Sequence, residues 1–414
     1  MIRRSLEILL AVGVCMLIAT TAARAAEPPT DQLDPKAAAL SDAYNRFGFG
    51  LFNRITKSAS TQNVFISPAS AAFALAMLYN GAAGTTREEL AQVLGGLGEL
   101  TLEEEGEANA RLLEALSKGD TSVQLAVANS IWYRNSFKFR EDFLDRSRES
   151  FMAEVAALNF DDPGAPAIIN AWVDRSTRGK IGKMVDQIDP MDVMFLMNAV
   201  YFKGKWTHPF SKEQTANRPF HRLDGSVTEL PMMGQTESFR YFATDSFQAI
   251  RLPYGSESCH MVLFLPSANH DLAGFVATLS PDRWAVWRDQ FRYQDVHLVM
   301  PRFTLEYEIP LNEPLQAMGM TSAFDLEAAD LSGLWDPPEV RSFNLYVSSV
   351  RQKTFVEVNE EGTEAAAVTS VGITASSVPP PPREMIVDRP FFFAIVDRTT
   401  DLILFMGAIV DPAP

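Results

Sequence analysis

The side chains that most often do chemistry are few in this sequence and poorly spaced for it. The five histidines are His208, His221, His260, His270 and His297, and no two stand at the short helical spacing of a metal-ligand pair. No Gly-x-Ser-x-Gly elbow presents a serine, and no Gly-x-Gly-x-x-Gly or other phosphate-cradling loop follows a strand-like run. Gly81-Ala82-Ala83-Gly84 reads as a turn between helices, and Asp161-Asp162 as solvated loop charge. Cys259 lies in the apolar run Cys259-His260-Met261-Val262-Leu263-Phe264, where a packed thiol is expected rather than a reactive one. A triad can be assembled from distant residues, but no constellation here favours one. The expectation is a protein without catalytic activity, cofactor or metal.

One segment is suited to being acted upon. Glu360 to Val378, closed by the prolines 379–382, carries a single charge after its acidic start, Glu364, and no aromatic residue. With a period of two, Thr363, Ala365, Ala367, Thr369, Val371 and Ile373 share one face, all small or β-branched, as a strand entering a core requires. Glu364, Ala366, Val368, Ser370, Gly372 and Thr374 form the other face, which tolerates water. Alanine and glycine are weak strand formers, so local propensity does not compel the strand. The segment suits a loop that can become a strand.

The elements around it read as one mixed α+β domain. Ala38 to Ile55 and Ser70 to Tyr79 have helical apolar spacing, and Thr86-Arg87-Glu88-Glu89 fits a capping box stopped by Gly95-Gly96. Thr101 to Lys118 reads as a helix whose Glu103, Glu104, Glu105 and Glu107 form a solvated acidic face. Val123 to Tyr133 and Met194 to Phe202 are apolar enough for the centre of a large sheet. Strands follow at Phe220 to Met232 (with an Asp224-Gly225 turn), Phe247 to Tyr254, Cys259 to Leu265, Val296 to Tyr307 and Tyr346 to Val358. A last apolar hairpin joins Pro390 to Val396 with Leu402 to Val410.

Length and composition, 414 residues with 47% hydrophobic and 21% charged, suit a large core. Met1 to Ala25 reads as a cleaved export signal: Arg3 and Arg4, an apolar stretch from Ile8 to Ala23, and the Ala23-Arg24-Ala25 site, with Glu7 an unwelcome charge. The apolar run is short for a membrane anchor. The expected mature chain, residues 26–414, is secreted to an extracellular or periplasmic space and keeps Cys259 as its one cysteine, so no disulfide supports it. Net charge is −16 with no basic stripe, which argues against nucleic acid, membrane or a heparin-like activator as partner.

Several blocks in order resemble the serpin family. They are Asn63-Val64-Phe65-Ile66-Ser67-Pro68, Asn80-Gly81-Ala82, Thr86-Arg87-Glu88-Glu89-Leu90, Ile169-Asn170-x-Trp172-Val173 and Thr177-x-Gly179-Lys180-Ile181. Asn198 to Trp206, Val356 to Ala367, Arg389-Pro390-Phe391 and Phe405-Met406-Gly407 complete the set. The resemblance implies three β-sheets, eight or nine helices and an exposed reactive-centre loop at about 360–388. It also implies a monomeric suicide inhibitor of serine proteases. The protease forms its acyl-enzyme on the loop, and the freed loop then inserts into the main sheet. Glu360, Gly362, Thr363, Ala365, Ala367 and Thr369 would be the hinge. Non-inhibitory members tend to carry charged, bulky or proline residues at its inward positions, and none stands there. A non-inhibitory serpin acting as a binding or chaperone module is the alternative.

The resemblance also implies a Glu360–Arg302 ion pair near Trp206, where the sheet must open. It implies a polar gate of Ser67, Ser70 and Asn198, facing Gln352 where many members have histidine. An amide donates and accepts at once, so such a gate would carry no pH dependence of its own. The family's spacing from Gly362 puts the cut between Ser376 and Ser377, with Ala375 or Val378 as one-residue alternatives. Small uncharged bait argues against trypsin-like enzymes and for elastase-like or subtilisin-like ones.

Overall fold

Asp34 accepts hydrogen bonds from the amides of Lys36 and Ala37, and Pro35 presets the first turn, so helix α1 (Pro35–Ser58) starts there. In the computed structural model the described residues are 33–97, 100–118, 120, 122–335, 344–362 and 381–413; all elements below lie within one compact unit beginning at Leu33. The short strand β1 (Val64–Ile66) leads into α2 (Pro68–Gly81), which Ser67 caps by accepting from the Ser70 amide at 3.2 Å. Helix α2 is buried on nearly every face, consistent with its apolar sequence.

Two expectations for the next helices need correction. Helix α3 (Gly84–Val93) begins before Thr86, and Ala83 at its start gives no side-chain cap. Thr86 instead accepts from the Asp330 amide, and Glu89 binds the amides and hydroxyls of Thr321 and Ser322. The capping box belongs to α4 (Leu102–Ser117), where Thr101 and Glu104 cap each other reciprocally. The acidic face of α4 is also not wholly solvated. Glu105 is 1% exposed, turned inward where Tyr44 on α1 donates to Asn109 and Asn109 in turn donates to the Glu105 carboxylate.

The chain then builds a sheet of three strands from β2 (Val123–Arg134), β3 (Glu154–Leu158) and β4 (Met194–Gly204), ordered β3-β2-β4, with α5 (Glu141–Phe151) in the β2–β3 connection. Helix α6 (Ala165–Ser176) packs on this sheet. Asn170 fastens the segment after α6 by donating to the Val185 carbonyl and accepting from the Met184 and Val185 amides. Trp172 meets Trp132 edge-on at 6.2 Å in a core of its own, separate from the main one.

Nine strands form a second sheet. Its β5 (Ala216–His221) and β6 (Val227–Ala243) turn at Gly225, whose φ of +81° suits glycine; β7 (Phe247–Tyr254) and β8 (Cys259–Pro266) follow. Helices α7 (Leu272–Val276) and α8 (Pro281–Arg288) then precede β9 (Arg292–Pro301). The single strand expected from Val296 to Tyr307 is two: it breaks at Arg302, and β10 (Phe303–Pro310) leaves for another sheet. After α9 (Asn312–Ala317), β11 (Arg351–Val358) pairs antiparallel with β10; residues 344–350 before it are not a strand. Strand β12 (Arg383–Ile386) lies parallel to β9 at the sheet's edge, and β13 (Phe391–Asp397) with β14 (Ile403–Ile409) makes the buried final hairpin. The described residues thus hold nine α-helices and strands in three hydrogen-bonded sheets.

Burial leaves Gly407 no room for a side chain. A Cβ there would lie 2.4 Å from the ring of Phe393, its partner across β13–β14. Gly407→Ala should cost about 1–3 kcal/mol, read as a fall in unfolding midpoint. Burial also raises the Glu105 carboxyl pKa from 4.5 to about 8, against the smaller opposing effect of Asn109. The folded state therefore keeps a proton that the unfolded chain releases, and stability falls as pH rises from 4.5 towards 8. Glu105→Gln should flatten that fall, by up to about 4 kcal/mol at pH 8 in denaturant titrations, at about 1.4 kcal/mol per unit.

Candidate functional site

Strands β4 and β11 belong to different sheets, and the described residues show no ladder between them. What joins them at one end is a turn, Asn359 to Gly362, directly after β11. The turn closes on itself through Asn359 N–H to Gly362 O (3.0 Å) and Gly362 N–H to Asn359 O (3.3 Å). It docks on the segment leaving β4. Trp206 N–H donates to Glu361 O at 3.1 Å, Phe210 N–H to Glu360 O at 2.8 Å, and the Trp206 indole to Asn359 O at 2.9 Å. The indole itself stacks on Tyr254 at 4.2 Å.

Glycine is required at position 362. Its φ is +127°, and a Cβ would lie 2.1 Å from the Gly204 carbonyl oxygen. The hinge freedom attributed to Gly362 from sequence is thus also a demand for close backbone approach.

Both acids of the turn are nearly buried. The Glu360 side chain, 5% exposed, lies 3.6 Å from the Arg302 guanidinium, which is itself half exposed. Thr215 donates its hydroxyl to the same carboxylate at 2.8 Å. Glu361 pairs through one oxygen with Lys212, while its other oxygen is buried without a hydrogen-bond partner. That bond to Glu361 raises the Lys212 pKa, holding the ammonium charged. Thr215 and Lys212 were not singled out in the sequence. Their only signal was position, in the short loop after the Trp206 strand.

Farther along the seam, the four gate residues are not one network. Gln352 is buried and grips the Ser67 backbone twice, accepting from its N–H at 3.0 Å and donating to its carbonyl at 2.8 Å. The Ser67 hydroxyl donates to Leu404 O, and the Ser70 amide donates to that hydroxyl. Asn198 stands apart from these contacts. Its amide donates to Asn129 on the neighbouring strand at 2.5 Å, and its carbonyl oxygen is buried without a partner. The physical reason is strand pairing: Asn198 and Asn129 are opposite one another in the β2–β4 ladder. Asn198 therefore leaves the expected gate.

The remaining hinge positions (Thr363, Ala365, Ala367, Thr369) and the bait (Ala375, Ser376, Ser377, Val378) lie outside the described residues, as does Met1 to Ala25. The chain is anchored on both sides of residues 363–380. Gly362 bridges Lys205 before them, and β12, starting at Arg383, pairs with β9 after them. Cys259 is buried beside Asp397 (3.7 Å), and burial pushes its thiol pKa up, the opposite of what a nucleophile needs. Burial likewise lowers the His260 pKa to about 3, so this imidazole is neutral across the physiological range. No group of three potential metal ligands occurs among the described residues.

The chain is similar to known proteins along nearly its whole length. The model of the family described as serpin (serine protease inhibitor) matches residues 42–412. Glia-derived nexin of Rattus norvegicus is 35% identical over 375 residues, 88% of this chain and 91% of that one. The native structure of tengpin, a thermophilic serpin, superposes with a TM-score of 0.81 at 31% identity, covering 93% of this chain and 96% of that chain. Native protease nexin-1 with heparin gives 0.80 at 32% identity, covering 91% of this chain and all of that one. That heparin-bound structure overturns the expectation that a heparin-like activator is excluded. Whole-chain acidity does not decide such binding, because local field rather than net charge governs it. A family model and relatives that cover nearly the whole chain mean that this protein belongs to the serpin family.

Proposed function

We propose that the chain inhibits serine proteases as a suicide substrate whose cleaved loop inserts between β4 and β11. The observation that carries this is the seam itself. Two half-sheets, β3-β2-β4 and β10-β11, lie side by side with no ladder between them among the described residues, and the chain that could enter there begins at the seam's head, after Gly362. The residues that would enter first, Thr363, Ala365, Ala367 and Thr369, are small enough to pass beneath a closed sheet.

The chemistry would be the protease's own. Its serine hydroxyl attacks the Ser376 carbonyl carbon and loses its proton to the catalytic histidine. The Ser376–Ser377 bond breaks, the Ser377 amine leaves with that proton, and Ser376 remains as an ester on the enzyme. Water then hydrolyses the ester unless insertion comes first. The bait Ala375-Ser376-Ser377-Val378 offers no basic side chain, so elastase-like and subtilisin-like proteases fit it best. Residues 1–25 serve export in this reading, leaving 26–414 as the inhibitor outside the cell.

Glu360 would latch the hinge through Arg302 and Thr215. The exposed guanidinium contributes less than about 1 kcal/mol, whereas the buried carboxylate depends on the Thr215 hydroxyl. Thr215→Val should therefore lower the unfolding free energy by about 1–2 kcal/mol, and Arg302→Gln by less, in parallel denaturant titrations.

Incubation with elastase, subtilisin and trypsin, with and without heparin, followed by denaturing gels, tests the proposal. A covalent complex with elastase or subtilisin is the expected product. Complete cleavage without any complex would overturn it and leave the binding or chaperone role. Thr363→Arg should turn inhibitor into substrate, because carrying a charge beneath the sheet costs several kcal/mol and each 1.4 kcal/mol slows insertion about tenfold.

A further inference from the structure

The Glu361 carboxylate is half-satisfied and takes no part in the Glu360–Arg302 pair. It is 8% exposed, one oxygen meets Lys212, and the other is buried with no partner. Its backbone is also engaged, since Glu361 N–H donates to the Asn359 side chain and Glu361 O accepts from Trp206 N–H. Lys212 opens the one-turn 3-10 segment Lys212–Gln214, and Thr215, which holds Glu360, follows directly. Two side chains three residues apart thus reach two consecutive acids of the turn. The other acid nearby, Glu213, is occupied by the Ser211 hydroxyl.

We propose that Lys212 is a second latch on the hinge, a positioning residue that holds the turn docked by neutralising the buried Glu361. A buried charge is tolerated while its partner stays and becomes strongly unfavourable once the partner goes. Glu361 can find relief only in water, and its backbone moves with it. Swinging out breaks the Trp206 N–H···O bond and lifts Gly362 from the Gly204 carbonyl against which it is packed. The Lys212 end is 64% exposed, so the pair is open to solvent and salt on one side only. One side of the latch is therefore easy to release, and the other cannot stay in place after release. This inference rests on the loop-insertion reading for its consequence but not for its geometry.

Hydrogen exchange of the intact protein at the Trp206 and Phe210 amides tests it, because both donate to the docked turn. Lys212→Ala should speed exchange at both by about tenfold or more. Lys212→Arg should hold exchange near the wild-type rate. Adding Glu361→Gln to Lys212→Ala should return it to within about threefold, since an amide strands no charge. Unchanged protection in Lys212→Ala overturns the proposal. So does a double variant that exchanges as fast as Lys212→Ala, which would mean the lysine merely packs the 3-10 turn. The loop-insertion reading has a separate readout, the thermal transition of wild-type protein cleaved within residues 363–380. If that transition does not rise, insertion fails while exchange still decides the latch.

Discussion

The structure depends on a constraint at one place: the carbonyl of Gly204 lies 2.1 Å from where a side chain at residue 362 would begin. Only a glycine with positive φ lets the chain after β11 approach the chain after β4 this closely. From that contact follow the docking of Asn359 to Gly362, the three hydrogen bonds from Trp206 and Phe210, and the burial of two consecutive glutamates. Burying two adjacent acids is unfavourable unless each has a cation or donor. Arg302, Thr215 and Lys212 are therefore consequences of the glycine contact.

The segment after α6 also packs against this seam. It carries Lys180, whose ammonium lies 3.6 Å from Glu357 and 5.1 Å from the Phe355 ring, both on β11. Phe355 also packs against the second core, whose other members come from β2, β3, β4, α6 and the segments flanking α6. This core straddles the two half-sheets. A strand entering between them would have to repack Phe355 and displace Lys180, so resistance to insertion is spread along the seam. A close-packed core yields in discrete steps rather than continuously.

Much of this was legible in the sequence, for identifiable reasons. The long apolar runs gave β2 and β4 as strands but not the large sheet expected around them: among the described residues they pair in a sheet of three, with β4 at its edge and several of its side chains half-buried. Glu360, Gly362, Arg302 and Trp206 were found because they stand in contiguous blocks resembling a family. Thr215 and Lys212 belong to no block and act through a turn whose docking is tertiary. Glu105 was misread for a related reason: four acids in five residues look like a solvated face, and only packing against α1 shows which one turns inward. Thr86 satisfied a capping pattern that the fold used otherwise, its hydroxyl accepting from Asp330 across the chain. Local rules were overridden where a distant backbone amide needed an acceptor.

Gln352 ties β11 to the start of α2. A single ring nitrogen cannot both accept and donate, whereas the amide meets the N–H and the C=O of Ser67 together. Ser67 also caps α2 and fastens to Leu404 on β14. Strand β11 is therefore tied down into the body of the molecule, and Thr354 adds a second tie by donating to Phe65 O at 2.7 Å. Asn198, on the other half-sheet, is tied sideways to Asn129. Each half is thus anchored to its own support, and none of these bonds crosses the gap. Opening the seam need break none of them, and none involves a group that titrates near neutrality. Resistance to opening is then shared among the glycine-packed turn, the Lys180 contacts and the second core, where Phe355 on β11 meets residues of β4.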